Sequence, residues 1–114
     1  MLEELSRDEV LAEQRAQAAF LTDVSRVVAT IATRHHAASS PLTWQLLRDI
    51  REEALAAIGL AARWPAWRLD EIVAASAVPP LDGCPTGAEV GALPVLGRAI
   101  AAAFHIPEPY ARTK

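Results

Sequence analysis

An apolar helical face in the first third of the chain constrains the fold more than any other feature. Between residues 20 and 31 only Asp23 and Arg26 are charged, and large apolar side chains recur at three- and four-residue steps, the period of an α-helix. These side chains are Phe20, Leu21, Val24, Val27, Val28 and Ile31. A stripe this wide is too apolar for a solvated helix. It therefore predicts an all-α fold, a small bundle of four to five helices with a long N-terminal helix.

Length and composition fit one domain. A chain of 114 residues buries roughly two-thirds of the surface that its unfolded form exposes, and 52% of the residues are hydrophobic. We expect a single helical domain at residues 1–106. An extended tail should follow at residues 107–114, because Pro107 and Pro109 interrupt regular structure there.

The first helix has a recognisable start and end. Ser6 and Glu9 form a capping box, in which each side chain accepts from a backbone N–H near the other. The helix should therefore begin at Arg7, and it should run to about Ala37. At that length, roughly 45 Å, it either bends or protrudes from the bundle. Gln14 and Gln17 continue the apolar stripe toward the N-terminus, so that end packs less tightly or meets another chain.

The later helices are separated by prolines. Ser40 followed by Pro41 predicts the second helix start, and the second helix should end near Arg63, before Pro65. A short third helix follows around residues 69–73, and residues 79–85 form a proline-rich loop. A second capping box, Thr86 to Glu89, begins the last helical region. The chain either kinks at Pro94 or restarts a helix there, and we favour the restart.

The cysteine count and the N-terminal charges bear on the compartment. Cys84 is the only cysteine, so no intramolecular disulfide can form. Four of the first nine residues are acidic (Glu3, Glu4, Asp8 and Glu9), whereas a signal peptide needs a basic lead and an apolar core. No run of about 18 uncharged apolar residues appears, which argues against a membrane span. We expect a cytoplasmic protein.

Few residues suggest chemistry at a site. The three histidines, His35, His36 and His105, lack metal-binding spacing, and a zinc site needs three or four converging ligands. The sequence has no glycine-rich phosphate loop, no serine elbow and no sequence context that would activate Cys84. We therefore expect no catalytic residue, no metal, no cofactor and no enzymatic activity.

Three tryptophans admit two interpretations. Trp44, Trp64 and Trp67 lie at the two ends of the second helix. Large rings are usually buried, so core and corner packing is the first interpretation. The second is a partner anchor, because tryptophan and arginine are enriched at interface hot spots. The candidate partner interface thus combines these three tryptophans with the stripe, that is, Phe20, Leu21, Val24, Val27, Val28, Ile31, Trp44, Trp64 and Trp67.

Residues 51–58 (REEALAAI) and 67–78 (WRLDEIVAASAV) resemble the first two helices and the turn of bacterial helix-turn-helix DNA-binding regulators. That family's Leu-x-x-Ile-Ala-x-x-x-Gly-Val pattern is matched by Leu69, Ile72 and Val78. Val73 and Ala77 replace its alanine and glycine. The resemblance implies DNA binding through a recognition helix.

Prolines and glycine occupy the place where that recognition helix should follow. The helix after Thr86 would have to serve instead, and its one basic residue is Arg98. The net charge is −3, so contact with nucleic acid would rest on local arginines that neutralise phosphates. The candidates are Arg63, Arg68 and Arg98.

Two functions from different classes follow. The first is a non-enzymatic helical protein–protein interaction protein, such as an assembly, adaptor or accessory subunit, which binds a protein partner or forms a homo-oligomer. The alternative is a divergent helix-turn-helix DNA-binding transcriptional regulator. Salt-dependent retention on heparin or DNA would favour the regulator. A stable complex formed without DNA would favour the interaction protein.

Overall fold

The part of the chain that the structure describes contains five helices, joined by turns and loops. A computed structural model covers residues 2–107, with side chains described from Arg7 onward. The helices are α1 (Leu2–Ala37), α2 (Trp44–Ala61), α3 (Ala66–Ala75), α4 (Gly87–Gly91) and α5 (Gly97–Ala103). This confirms the all-α prediction and the long N-terminal helix. Most of the predicted tail, residues 108–114, lies outside the described residues.

Helix α1 begins earlier than predicted. It starts at Leu2, so the predicted start at Arg7 lies inside the helix. Residues 2–6 include no proline or glycine, and carboxylates in the first turn are favourable at the positive end of the helix dipole. The predicted end at Ala37 is confirmed. There Ser39 adopts a left-handed conformation (φ 64°), and the Ser40 N–H donates to the His35 carbonyl at 3.1 Å.

Helix α2 is capped by Thr43 and not by Ser40, which corrects the predicted start. The Thr43 hydroxyl accepts from the Leu46 N–H at 3.0 Å. The Trp44 N–H donates to the Gly83 carbonyl at 2.9 Å. Ser40 instead closes α1, and a distant loop helps to fix the start of α2. The helix ends at Ala61, two residues before the predicted end, because Ala62 takes a left-handed conformation (φ 55°).

The C-terminal half follows most of the predicted breaks. Helix α3 forms where expected, and residues 79–85 contain no helix. Both hydrogen bonds of the Thr86–Glu89 capping box are present. The chain does not continue as one helix past Pro94, but α5 restarts at Gly97 and not at Pro94. The reason is a tight turn, in which Val95 has a left-handed φ of 67° and the Leu96 N–H donates to the Pro94 carbonyl at 2.6 Å.

The core lies where α2 and α5 pack against the C-terminal two-thirds of α1. Every helix contributes buried apolar side chains to one continuous cluster. The largest fully buried ones are Phe20, Val24, Val28, Leu47, Ile50, Val90, Leu96 and Ile100. No described helix is long and apolar enough to cross a membrane.

The N-terminal turns of α1 extend beyond this core. Each residue from Arg7 to Arg15 is exposed, and we call residues 7–15 the overhang. At 1.5 Å per residue, the 36 residues of α1 span about 54 Å, which matches the longest dimension of the molecule, 55 Å. The helix therefore protrudes, as one of the two sequence interpretations expected.

Candidate functional site

The apolar stripe on α1 is mostly used inside the chain. Phe20, Val24, Val28 and Ile31 are buried, while Leu21 and Val27 are half-buried against the same core. We expected this face to meet a partner, but these four side chains are buried within the chain itself. They are covered because α2 and α5 pack on either side of them. Only the margins of the stripe reach the surface.

The tryptophans divide between the core and the surface. Trp44 is buried at the first position of α2. Trp64 is half-buried, and its ring meets Phe20 edge to face with centroids 5.1 Å apart. Trp67 remains 50% exposed. The packing interpretation therefore describes Trp44 and Trp64, and Trp67 is the one exposed ring of the three.

Asp23 is a buried carboxylate on the stripe side of α1. It is 7% exposed, and its Oδ2 accepts from Trp64 Nε1 at 2.9 Å. Its Oδ1 accepts from Arg26 and, at 3.5 Å, from Arg63 Nη1. The Trp64 hydrogen bond is the main reason that the pKa of Asp23 lies below its ordinary value; burial opposes this shift, and the two arginines add to it. The cluster joins α1 to the corner between α2 and α3.

Arg68 forms a second polar cluster nearby. It is 3% exposed, and it binds both carboxylate oxygens of Glu13 at 3.0 Å and the side chain of Gln17. Its guanidinium lies over the Trp67 ring, 4.3 Å from the centroid, and its Nε atom has no partner among the described residues. This cluster links the α3 side chain Arg68 to α1. Gln17, a polar residue on the continuation of the apolar stripe, is the sequence signal for it.

The three arginines proposed for nucleic acid have different surroundings. Arg68 is buried and pairs with Glu13, so it is not accessible to a phosphate. This corrects the expectation that Arg68 contacts nucleic acid. Arg63 and Arg98 are exposed, but Arg63 lies beside Asp23.

The segments that resemble a helix-turn-helix fall in α2 and α3. No helix follows α3 until Gly87 in the described chain, and α4 is then only five residues long. Arg98, the candidate base reader, lies on the seven-residue α5.

An open groove lies between α1 and α2. It has a volume of about 520 Å³. Its apolar side chains come from both helices: Val27, Ile31, Ala56, Ala57 and Leu60. Leu60 is 86% exposed. Sequence reasoning missed Leu60 because it belongs to a second apolar row on α2, next to the row that faces the core.

Charged side chains border this groove. Arg26 and Arg34 stand on the α1 side and are mostly exposed, and Glu53 stands on the α2 side. Oε1 of Glu53 lies 2.8 Å from Nε2 of His35, and Oε2 of Glu53 lies 3.8 Å from Nη2 of Arg34. Arg26 also pairs with Asp23, and the side chains that line the groove carry two positive charges and one negative charge.

The remaining histidines lie at the far end of α1. The His36 ring meets Phe104 and His105 edge to face, with centroids 5.1 Å apart in both pairs. Within residues 2–107, no three histidine, cysteine or carboxylate side chains converge as metal ligands would.

Comparison with known proteins places the whole bundle in one family. No curated protein and no solved structure matches the chain. A family model matches residues 6–105, a range that includes the groove, both polar clusters and helices α2 to α5. The chain therefore belongs to the family described as "Protein of unknown function (DUF2471)".

Proposed function

We propose that this protein is a non-enzymatic protein–protein interaction protein, an assembly, adaptor or accessory subunit that docks a partner helix in the groove between α1 and α2. The observation that carries the proposal is Leu60, a large apolar side chain that is 86% exposed at the border of an apolar groove. Burying one such leucine contributes about 1.5–3 kcal/mol. A partner that covers Leu60 therefore gains a substantial part of an interface.

The shape of the groove indicates the kind of partner. Two neighbouring helices form its walls, and small residues, Ala56 and Ala57, keep its α2 side low. An amphipathic helix can lay apolar side chains at positions i, i+3, i+4 and i+7 into such a groove. We propose this mode of recognition in place of the original stripe, whose central residues are buried.

Charge adds a preference to shape. Arg26 and Arg34 are mostly exposed, although each has a carboxylate beside it, Asp23 and Glu53 respectively. The two arginines outnumber Glu53, which is the one carboxylate that lines the groove. A partner helix with carboxylates along one flank would be attracted to this border, and a basic one would be repelled. We therefore propose an acidic amphipathic helix as the ligand, and we place the interaction in the cytosol because the single cysteine offers no disulfide.

A titration followed by two-dimensional amide NMR tests the proposal. The probe is a synthetic amphipathic peptide with a leucine stripe flanked by glutamates, and its control has lysines in place of the glutamates. We expect shifts at groove residues such as Val27 and Ala57 with the glutamate peptide only. Leu60→Glu should abolish them. The matched control is Leu81→Glu, because Leu81 is exposed in a loop outside the groove.

Two results would contradict the proposal. Shifts scattered over the surface, or binding that survives Leu60→Glu, would mean that the groove is not a docking site. DNA binding that falls with salt and is lost in Arg63→Gln or Arg98→Gln, but not in Leu60→Glu, would instead favour the regulator alternative.

A further inference from the structure

We propose that a cavity between α1 and α3 binds a small organic cation, an amine that carries a compact apolar group. This cavity is separate from the groove between α1 and α2, and the two share no lining residue. The cavity has a volume of about 250 Å³, just below the range of about 300–1,000 Å³ that is typical of sites for drug-sized ligands. The site therefore suits a small molecule and not a peptide.

Two helix faces and one turn form the walls of the cavity. No pair of α-carbons from α1 and α3 lies within 8 Å in the described chain, whereas closely packed helices have axes about 8–10 Å apart. The two helices therefore leave space between them, and Val95 borders this space from the turn before α5. The lining residues recur at helical steps on each helix: Gln17, Phe20 and Leu21 from α1, and Glu71, Ile72 and Ala75 from α3.

Most of the cavity wall is apolar. Phe20 and Ile72 are buried, and Leu21 and Val95 are half-buried against the core. Val95 is a β-branched residue with a left-handed φ of 67°, an unfavourable conformation of the kind that clusters at ligand sites. An apolar group placed among these side chains would be shielded from water by them, which favours binding.

Glu71 gives the cavity a negative charge. It is the one charged residue that lines the cavity, and within residues 7–107 its carboxylate has no ion-pair partner. Arg68, three residues earlier on α3, pairs with Glu13 instead. An ammonium group beside Glu71 would gain a charge-assisted hydrogen bond, whereas a carboxylate there would be repelled. The charge of the lining residues thus selects a cation.

The cavity reaches solvent along α3, where Glu71 and Ala75 are exposed. The ammonium group of a bound amine can therefore stay partly hydrated beside Glu71 while the apolar group enters the space behind it. A charge that remains partly in water avoids most of the desolvation penalty of a buried ion pair. This arrangement suits an amine that is charged at one end and apolar at the other.

Two-dimensional amide NMR of the full chain near neutral pH tests the inference with two probes of similar size. Phenethylamine is a cation there, because alkyl ammonium groups such as that of lysine have a pKa near about 10.4. Hydrocinnamate presents the same phenyl group with a carboxylate. With the amine we expect saturable shifts at Leu21, Ala75 and Val95 and a Kd of about 1 mM or lower. With hydrocinnamate we expect no saturable shift.

Two pairs of variants locate the site, and far-UV circular dichroism checks that each variant folds. Glu71→Gln keeps the shape of the side chain and removes its charge, so the Kd of the amine should rise at least about fivefold. Asp70→Asn is the control, because Asp70 is an exposed carboxylate outside the cavity, and it should leave that Kd unchanged. Ala75→Phe fills the cavity and should abolish binding. Ala74→Phe, at an exposed position outside the cavity, should not.

Several results would overturn the inference. These are amine shifts that stay linear up to about 10 mM, equal binding of hydrocinnamate, and a Kd that Glu71→Gln and Ala75→Phe leave unchanged. Amine shifts centred on Val27 and Ala57 would place the ligand in the groove and would overturn it as well. Leu60→Glu should leave the Kd of the amine unchanged while it abolishes peptide binding in the groove, so this inference and the proposed function can fail separately.

Discussion

Trp64 donates a hydrogen bond from its indole Nε1 to Oδ2 of Asp23 at 2.9 Å, and this bond ties the corner after α2 to the middle of α1. The acceptor is 7% exposed, so water cannot readily replace the indole. The same ring packs edge to face on Phe20. One side chain thus provides both apolar packing and a partner for a buried charge.

Trp64→Phe separates these two roles. The phenyl ring keeps most of the packing against Phe20 but leaves Oδ2 of Asp23 without its donor, while Oδ1 keeps Arg26 and Arg63. An unsatisfied buried acceptor costs about 1–3 kcal/mol. We expect the free energy of unfolding, measured by urea denaturation, to fall by that amount. Trp67→Phe is the matched control, because Trp67 is half exposed and a phenyl ring still offers a face to Arg68. Equal losses in both variants would contradict the assigned role of the bond.

The lowered pKa of Asp23 makes stability depend on pH in the acid range. The folded chain binds this proton less tightly than the unfolded chain, whose aspartates titrate near about 4. The stabilisation of the folded chain by ionised Asp23 is therefore fully present above about pH 4, and it is lost as the pH falls through the lowered folded-state pKa. Urea denaturation at several pH values should show this loss. Asp23→Asn should flatten the curve there, and an unchanged slope would be inconsistent with our account.

The pair of Glu13 and Arg68 should be asymmetric. The Glu13 side chain is 54% exposed and the Arg68 side chain 4% exposed. Glu13→Ala leaves a buried guanidinium without its carboxylate and should lower the free energy of unfolding by about 1–3 kcal/mol. Exposed ion pairs typically contribute only about 0.2–1 kcal/mol. A double-mutant cycle with Arg68→Met measures the coupling. Additive losses would show that the two side chains do not interact energetically.

Two glycines should respond oppositely to alanine. A Cβ atom at Gly97 would lie 2.9 Å from the Gly91 carbonyl oxygen and closer still to that of Val90, whereas one at Gly59 would meet nothing within 4 Å. Gly97→Ala should destabilise the chain by more than about 1 kcal/mol, because the backbone must move. Gly59→Ala should stabilise it by up to about 1 kcal/mol, the helix propensity difference. Thermal unfolding of both variants tests the contrast, and a tolerated Gly97→Ala would refute the close approach of α5 to α4.

Short-range signals in the sequence determined the helical architecture. The end of α1 at Ala37, the break at residues 79–85 and the capping box at Thr86 and Glu89 each depend on residues within about one helical turn of one another. Interactions at this range act in nearly the same way in any fold. The breadth of the apolar stripe in turn determined that α1 must be covered by other helices.

Only the tertiary structure decided where surface and core lie. Thr43, and not Ser40, caps α2. The carbonyl of Gly83, which is about 40 residues away in the sequence, accepts from the N–H of Trp44, the residue after this cap. Arg68 is buried because Glu13 and Gln17 face it from α1, and Leu60 is exposed because none of the five described helices packs there. Hydrophobic periodicity shows that a helix face must be buried. Which residues bury that face depends on the sum of contacts between segments far apart in the chain, and no local pattern encodes that sum.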